Sequence, residues 1–178
     1  MKRAGLYAVE LGTDAGCDTT LNGLKKGFSF DEVLAVNDAC VAEEIPAAHY
    51  IMFGGPDETY DSVREGMQNV ERIDKNVVFA FSGIRILPGT ELHTRAIEEQ
   101  VIEAECELLM PAYYFSPQIE VEQMNGMILE TFKKKRERIF PPSEGQKRLE
   151  IMRRFGFRGL LWDTLVSFKK GRKPVDKG

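Results

Sequence analysis

The sequence has no apolar run near the roughly 18–20 residues that a membrane-spanning helix needs. Its first residues, MKRAGLYAVELGTDAG, lack the apolar stretch of a secretory signal, because acidic and glycine residues arrive first. Histidine is scarce, at two residues, and cysteine little commoner, at three. Cys17, Cys40 and Cys106 are odd in number and widely spaced, which excludes a disulfide scaffold. No C-x-x-C or Cys/His spacing suits zinc or an iron–sulfur cluster, so the chain is expected to bring no metal ligands of its own. Free thiols suit a reducing compartment, and a cytoplasmic location is expected.

What is present is a globular balance: 43% hydrophobic and 29% charged residues among 178, one domain with or without an appendage. The net charge of −4 hides an asymmetry. Residues 1–119 carry 20 acidic and 9 basic side chains; residues 120–178 carry 8 and 15. The change follows the proline-bounded stretch PAYYFSP, which predicts an α/β domain over 1–117 and a mainly helical extension over 118–178. The basic residues are scattered over helical positions without aromatics at stacking spacing, so no nucleic-acid partner is expected. Instead the positive segment should pack near an acidic neighbour.

Strand and helix patterns alternate. LYAVEL, within Gly5 to Gly12, suits a strand. Residues 31–44 form a helical pattern with Val33, Val36, Ala39, Cys40 and Ala42 on one face, and Ser29 with Glu32 makes a capping box. A strand over 47–53 ends at Gly54, Gly55 and Pro56. Thr59 caps a helix through Ile73 with Val63, Met67, Val70 and Ile73 inward. VVFAF, residues 77–81, reads as a strand buried on both faces, and Gly89 opens a helix of about ten residues. Beyond Pro117 the pattern predicts one long helix over 118–140, then a second from Ser143 and Gln146 to Phe155, ended by Gly156. Trp162 is expected as a packing anchor.

This alternation predicts a parallel sheet with about three βα units, too few for a closed eight-stranded barrel of around 250 residues. MKRAG reads as the end of a helix whose start lies elsewhere, so a slice of a larger barrel is expected. In such sheets ligands sit at the C-terminal strand ends. There the chain has ELGTDAG, FGGPDET and SGIRILPGTEL, with glycines that admit a close ligand and acids suited to hydroxyl or ammonium groups. Glu10, Gly12 and Asp14 share parity if the first strand runs that far. Turn and capping roles alone would account for any one of these loops.

Together, in this order, the three loops resemble the C-terminal half of the radical S-adenosylmethionine (SAM) barrel. GTDAG stands where that family has a G-x-E-S-G-like turn, with Asp14 and Ala15 in place of Glu and Ser. FGGPDET resembles G-L-P-G-E-T, with Asp57 replacing a glycine, and Pro88, Gly89, Thr90 and Leu92 match a P-G-T-x-L turn. GIRILPGTEL with LLMPAYYFSP looks closest to the subgroup that carries a cobalamin-binding domain and modifies lipids, hopanoids or tetrapyrrole-type compounds. The likeness spans about residues 1–165. It implies a full-length enzyme that cleaves SAM at a [4Fe–4S] cluster, with or without cobalamin-linked methyl transfer. The C-x-x-x-C-x-x-C loop and the D-x-H-x-x-G cobalamin signature are both absent. Hence this chain alone is expected to be inactive and to bind neither group with its own ligands.

By resemblance, Glu10 and Asp14 would bond SAM, Gly12 and the backbone of Phe53, Gly54 and Gly55 would admit its adenine, and Arg85 would meet a carboxylate of SAM or substrate. The alternative role for Arg85 is a structural ion pair with Glu58 or Glu91. Glu58 is expected as a helix cap and His49 as a satisfied core histidine. Tyr113, Tyr114 and Phe115 should close an edge or anchor the tail. The expected partners are the other half of the barrel and a small-molecule or lipid substrate. A half-barrel exposes strand edges, so self-association is expected as well. The competing reading is a non-catalytic α/β scaffold or protein-interaction domain. What separates the two is whether Glu10, Asp14 and the GGP backbone converge on one strand-end site.

Overall fold

The structure is a computed structural model that describes residues 1–133, 135–159 and 162–166. After a 3₁₀ turn at Lys2–Ala4 come β1 (Val9–Asp14), α1 (Asp18–Gly23), α2 (Phe30–Ala42), β2 (Ala47–Phe53), α3 (Tyr60–Arg72) and β3 (Val77–Ser82). Then follow β4 (Ile84–Arg85), α4 (Glu91–Glu98), β5 (Tyr113–Tyr114), α5 (Val121–Phe132), β6 (Arg138–Ile139), α6 (Ser143–Arg154) and α7 (Trp162–Leu165).

Local chemistry starts the helices where the sequence indicates. Ser29 accepts from the Glu32 amide while the Glu32 carboxylate takes the Ser29 amide, so both halves of the capping box are made. Thr59 caps α3 in the same way with Ser62. Thr90 caps α4 through the His93 amide, one residue after the expected glycine. Ser143, however, begins α6 without a side-chain cap.

β1, β2, β3 and β6 form one parallel sheet in that order. Each strand is laid beside its predecessor, so the winding never reverses, as in a segment of a (βα) barrel. Alternation then divides the side chains between two faces. Ile51, Phe53, Val78 and Ala80 pack against Phe30 and Val33 of α2, Val63, Met67 and Val70 of α3, and Met124, Ile128 and Phe132 of α5. The helices between the strands therefore share one face. On the other face, Ala48, Val77 and Ile139 are covered by Leu149 and Met152 of α6 and by Leu165 and Val166. That cover reaches Tyr50 and Phe79, the Phe79 ring lying against Gly145 of α6, while Met52 and Phe81 lie further along the strands.

Three sequence expectations are corrected. First, α2 buries Phe30, Val33 and Asn37, while Val36 is 46% exposed. A polar residue turns the helix. Asn76 Nδ2 donates to Asn37 Oδ1 at 2.7 Å, and Asn76 Oδ1 accepts the Ala47 amide at 2.8 Å, tying α2 to the starts of β2 and β3. Second, no single helix spans 118–140: α5 ends at Phe132, and Arg138–Ile139 join the sheet beside Val78 and Phe79. The basic run after Phe132 disfavours helix continuation by like-charge repulsion. Arg138 also has a better place, buried and donating to the carbonyls of Val70, Ile73 and Asn76 at the end of α3. Third, β3 is buried on both faces only at its start, where Val77 lies under α6 and Val78 under the crossover helices, while Phe79 and Phe81 are half-buried.

Two features connect the basic segment to the rest. Lys135 pairs with Glu71 of α3, the acidic neighbour anticipated for the positive segment. Gly156, in the left-handed region at φ 85°, ends the turn after α6. The Trp162 side chain lies outside the described residues. Among the described residues, no helix is long and apolar enough to cross a membrane.

Candidate functional site

The C-terminal part of the sheet face opposite the crossover helices is the candidate site. Glu10 stands opposite Ala48 and Gly12 opposite Tyr50, so both belong to the face that the crossover helices do not cover. Next to them lie Tyr50 and Met52 of β2, then Phe79 and Phe81 of β3, all half-buried. The Tyr50 and Phe79 rings stack with centroids 5.2 Å apart and planes at 10°; Phe81 follows at 6.0 Å and 31° from Tyr50. Burial, and then the Glu10 carboxylate, pushes the Tyr50 phenol above its ordinary range. The outcome is an apolar aromatic wall with a carboxylate and a bare glycine beside it. Such a wall can stack a planar ring and accept hydrogen bonds from hydroxyls.

Asp14 does not continue the parity of Glu10 and Gly12. The register shifts between Gly12 and Asp14, and Asp14 is left-handed at φ 65°. Its carboxylate nevertheless returns toward Gly12, 3.8 Å from where a Gly12 Cβ would stand, and pairs with Lys26 at 2.7 Å. Asp57 is likewise left-handed at φ 62°, a conformation that favours glycine and that aspartate tolerates. Arg95 fixes it with two parallel hydrogen bonds of 3.0 and 2.6 Å, and its carboxyl is held below the usual range.

Phe53, Gly54 and Gly55 lie away from this open face. Phe53 is fully buried, its ring against Gly16 and Gly66 in the helix-covered core. The Gly54 and Gly55 amides both donate to Glu58 Oε2, the latter at 2.9 Å, and the Gly54 carbonyl accepts the Ser116 amide at 2.9 Å. A Cβ at Gly54 would come within 2.9 Å of the Phe115 ring, and one at Gly55 within 2.6 Å of Thr20. The two glycines therefore admit neighbouring side chains of this chain itself. Phe115 also sits over Gly83, while Tyr114 is buried and donates to Glu99 Oε2 at 2.5 Å. The YYF stretch thus closes the ends of β2 and β3. Arg85 is exposed on β4, and neither suggested partner reaches it: Glu91 pairs with Lys25, and Glu58 is occupied by the glycine amides.

Glu58 and His49 are fully buried. Burial pushes Glu58 up to about 7, against the opposing pull of the Gly55 and Gly54 amides and Thr20, and its Oε1 has no partner among the described residues. Glu58 therefore precedes the cap of α3, Thr59, and is not itself that cap. His49 Nδ1 shares a hydrogen bond of 2.9 Å with Thr13 Oγ1, and its Nε2 has no partner among the described residues. Burial, and then the Arg138 charge, lowers it to about 4. His49 is a neutral core histidine, only half satisfied.

The residues do not suit a [4Fe–4S] cluster. Cys17 is buried with its thiol pushed up by burial, Cys40 lies on α2 and Cys106 is exposed in the loop after α4. Among the described residues no three Cys, His, Asp or Glu side chains gather where they could hold a metal.

The aromatic wall was not singled out from the sequence, although a signal exists. In AAHYIMF and VVFAFS the bulky residues Tyr50, Met52, Phe79 and Phe81 occupy alternate positions, which assigns them to one face. Deciding that this face is the open one needs the helices in place. No protein-family model and no curated protein matches this chain.

Proposed function

We propose that this chain forms one wall of a radical SAM barrel and helps to bind and orient SAM and substrate in the full-length enzyme. The observation that carries this is the C-terminal part of the sheet face opposite the crossover helices, where Glu10 and Gly12 border the half-buried Tyr50–Phe79–Phe81 wall. Adenine stacks on the aromatic wall, the Glu10 carboxylate accepts from ribose hydroxyls, and Gly12 leaves room for the sugar. Asp14, held by Lys26, is placed at the rim for the amino group of SAM. The Phe53–Gly55 backbone takes no part, because its polar groups are engaged within the chain. SAM, once bound, supplies the reactive sulfonium. The cluster that reduces it, and any cobalamin, belong to other parts of the full-length protein.

The test is calorimetric titration of SAM into the polypeptide expressed from its complete reading frame. Glu10→Ala should weaken binding about tenfold or more, the loss of a hydrogen bond to a charged group. That reading frame should also encode C-x-x-x-C-x-x-C upstream. SAM affinity unchanged by Glu10→Ala would remove the assigned site. A second reading, a non-catalytic α/β interaction domain, is favoured by the engaged GGP backbone. It would gain if the complete product bound no SAM and carried no such motif.

A further inference from the structure

The cleft between α5, β6, α6 and α7 is separate from the open sheet face and has a different chemistry. It has a volume of about 440 Å³, within the roughly 300–1,000 Å³ of ligand pockets. Five basic side chains line it, and three of them are already engaged. Lys133 pairs with Glu130, Lys135 with Glu71, and Arg138 donates to three backbone carbonyls. Arg136 and Arg148 make no direct ion pair among the described residues, although Glu144, its carboxyl lowered first by the Lys147 hydrogen bond, lies near enough to Arg148 for that charge to lower it further. Arg148 Nη1 donates to the Arg136 backbone carbonyl at 3.0 Å, which brings the Arg148 guanidinium to the segment that carries Arg136. The rest of the lining is apolar: Phe132, Phe140 and Met152 are partly or fully buried, and Ile151 at the rim is 55% exposed. Leu129, also on this rim, is 47% exposed.

Two guanidiniums without a direct ion pair among the described residues offer donors to an anion, and the half-exposed Leu129 and Ile151 beside them favour hydrocarbon. A purely polar anion would leave the half-exposed Leu129 and Ile151 in water, and a neutral apolar ligand would leave the arginines without a role. We infer that this cleft binds an anionic amphiphile, its phosphate or carboxylate head on Arg136 and Arg148 and its alkyl chain along Leu129, Phe140 and Ile151. The inference does not depend on SAM binding, because the cleft shares no residue with the Glu10 site.

The test is calorimetric titration of the full chain with monomeric dodecyl phosphate, inorganic phosphate and a neutral dodecyl glycoside. Dodecyl phosphate should bind one to one, at least tenfold tighter than either control. Arg136→Gln and Arg148→Gln should each weaken it by about tenfold, as loss of a charge-assisted hydrogen bond does. Ile151→Gln should weaken dodecyl phosphate and leave inorganic phosphate unchanged; because Ile151 is half-exposed, this variant should keep its melting temperature. Equal binding of inorganic phosphate or of the neutral glycoside would overturn the inference. So would dodecyl phosphate affinity that survives both arginine substitutions. Binding to phosphatidylglycerol vesicles with none to monomeric dodecyl phosphate would also overturn it, making the face a membrane-contact surface.

Discussion

Glu58→Gln replaces one carboxylate oxygen with an amide group and leaves an oxygen to accept the Gly54 and Gly55 amides. The carboxyl group titrates at 4.5 when unperturbed and at about 7 in the fold. A group raised in this way contributes stability that is fully present below pH 4.5 and is lost as pH rises to 7. Over that interval the folded chain holds a proton that the unfolded chain has released. The difference corresponds to about 3 kcal/mol lost across the window. His49 has the opposite sign. Lowered from 6.5 to about 4, it stays neutral in the fold while the unfolded chain takes up a proton, so its contribution falls by about 3 kcal/mol as pH drops from 6.5 to 4. Between about pH 4.5 and 6.5 the two slopes cancel, because one group favours acid and the other base by about 1.4 kcal/mol per pH unit each. Urea unfolding of the chain and of Glu58→Gln, followed at half-unit steps from pH 4.5 to 8, tests this. The variant should be less stable relative to the parent at pH 4.5 than at pH 8, with the difference moving by about 3 kcal/mol between them. In the variant the His49 slope then stands uncovered, and stability rises with pH up to 6.5. A parent-to-variant difference that stays constant from pH 4.5 to 8 would refute a protonated Glu58 beneath the glycine amides.

The remaining expectations concern glycines whose surroundings differ. Gly16→Ala sets a Cβ 2.8 Å from the Gly66 Cα, a backbone atom, so α3 must shift; thermal and urea unfolding should show a loss of about 1–3 kcal/mol. If Gly16→Ala is neutral, the close contact between the β1–α1 turn and α3 is wrong. Gly126 lies inside α5 with nothing within 4 Å of a Cβ. Gly126→Ala should therefore raise stability by about 0.5–1 kcal/mol, through helix propensity and a less free unfolded chain. A destabilised Gly126→Ala would mean that the outer side of α5 is covered by something.

Strand and helix positions were legible where a local signal suffices. Ser29 with Glu32, and Thr59, announce two helix starts through hydrogen bonds made within a few residues. The glycines after β2 announce its end, because few other residues can turn there. The face that α2 buries was not legible. Asn37 counts as polar in any periodicity, and it is inside because Asn76, 39 residues away, supplies its partner. β6 was hidden for a related reason: Arg138 reads as one more charge in a basic helix, until the carbonyls at the end of α3 give its guanidinium a buried place.

The candidate site divides in the same way. From sequence alone, parity places Glu10 and Gly12 on one side of a strand, since alternation is a property of the extended backbone. Whether Asp14 continues that row depends on a register shift against β2. Whether the GGP amides meet a ligand depends on Glu58, which folds back onto them, and on Phe115, which arrives from beyond β5. The residue types and their local geometry were determined by the sequence, because both rest on interactions a few bonds away. Which face the crossover helices cover, which amides are spent and which arginines make no direct ion pair among the described residues were decided by the tertiary structure, because each depends on groups that only the completed fold brings within hydrogen-bonding distance.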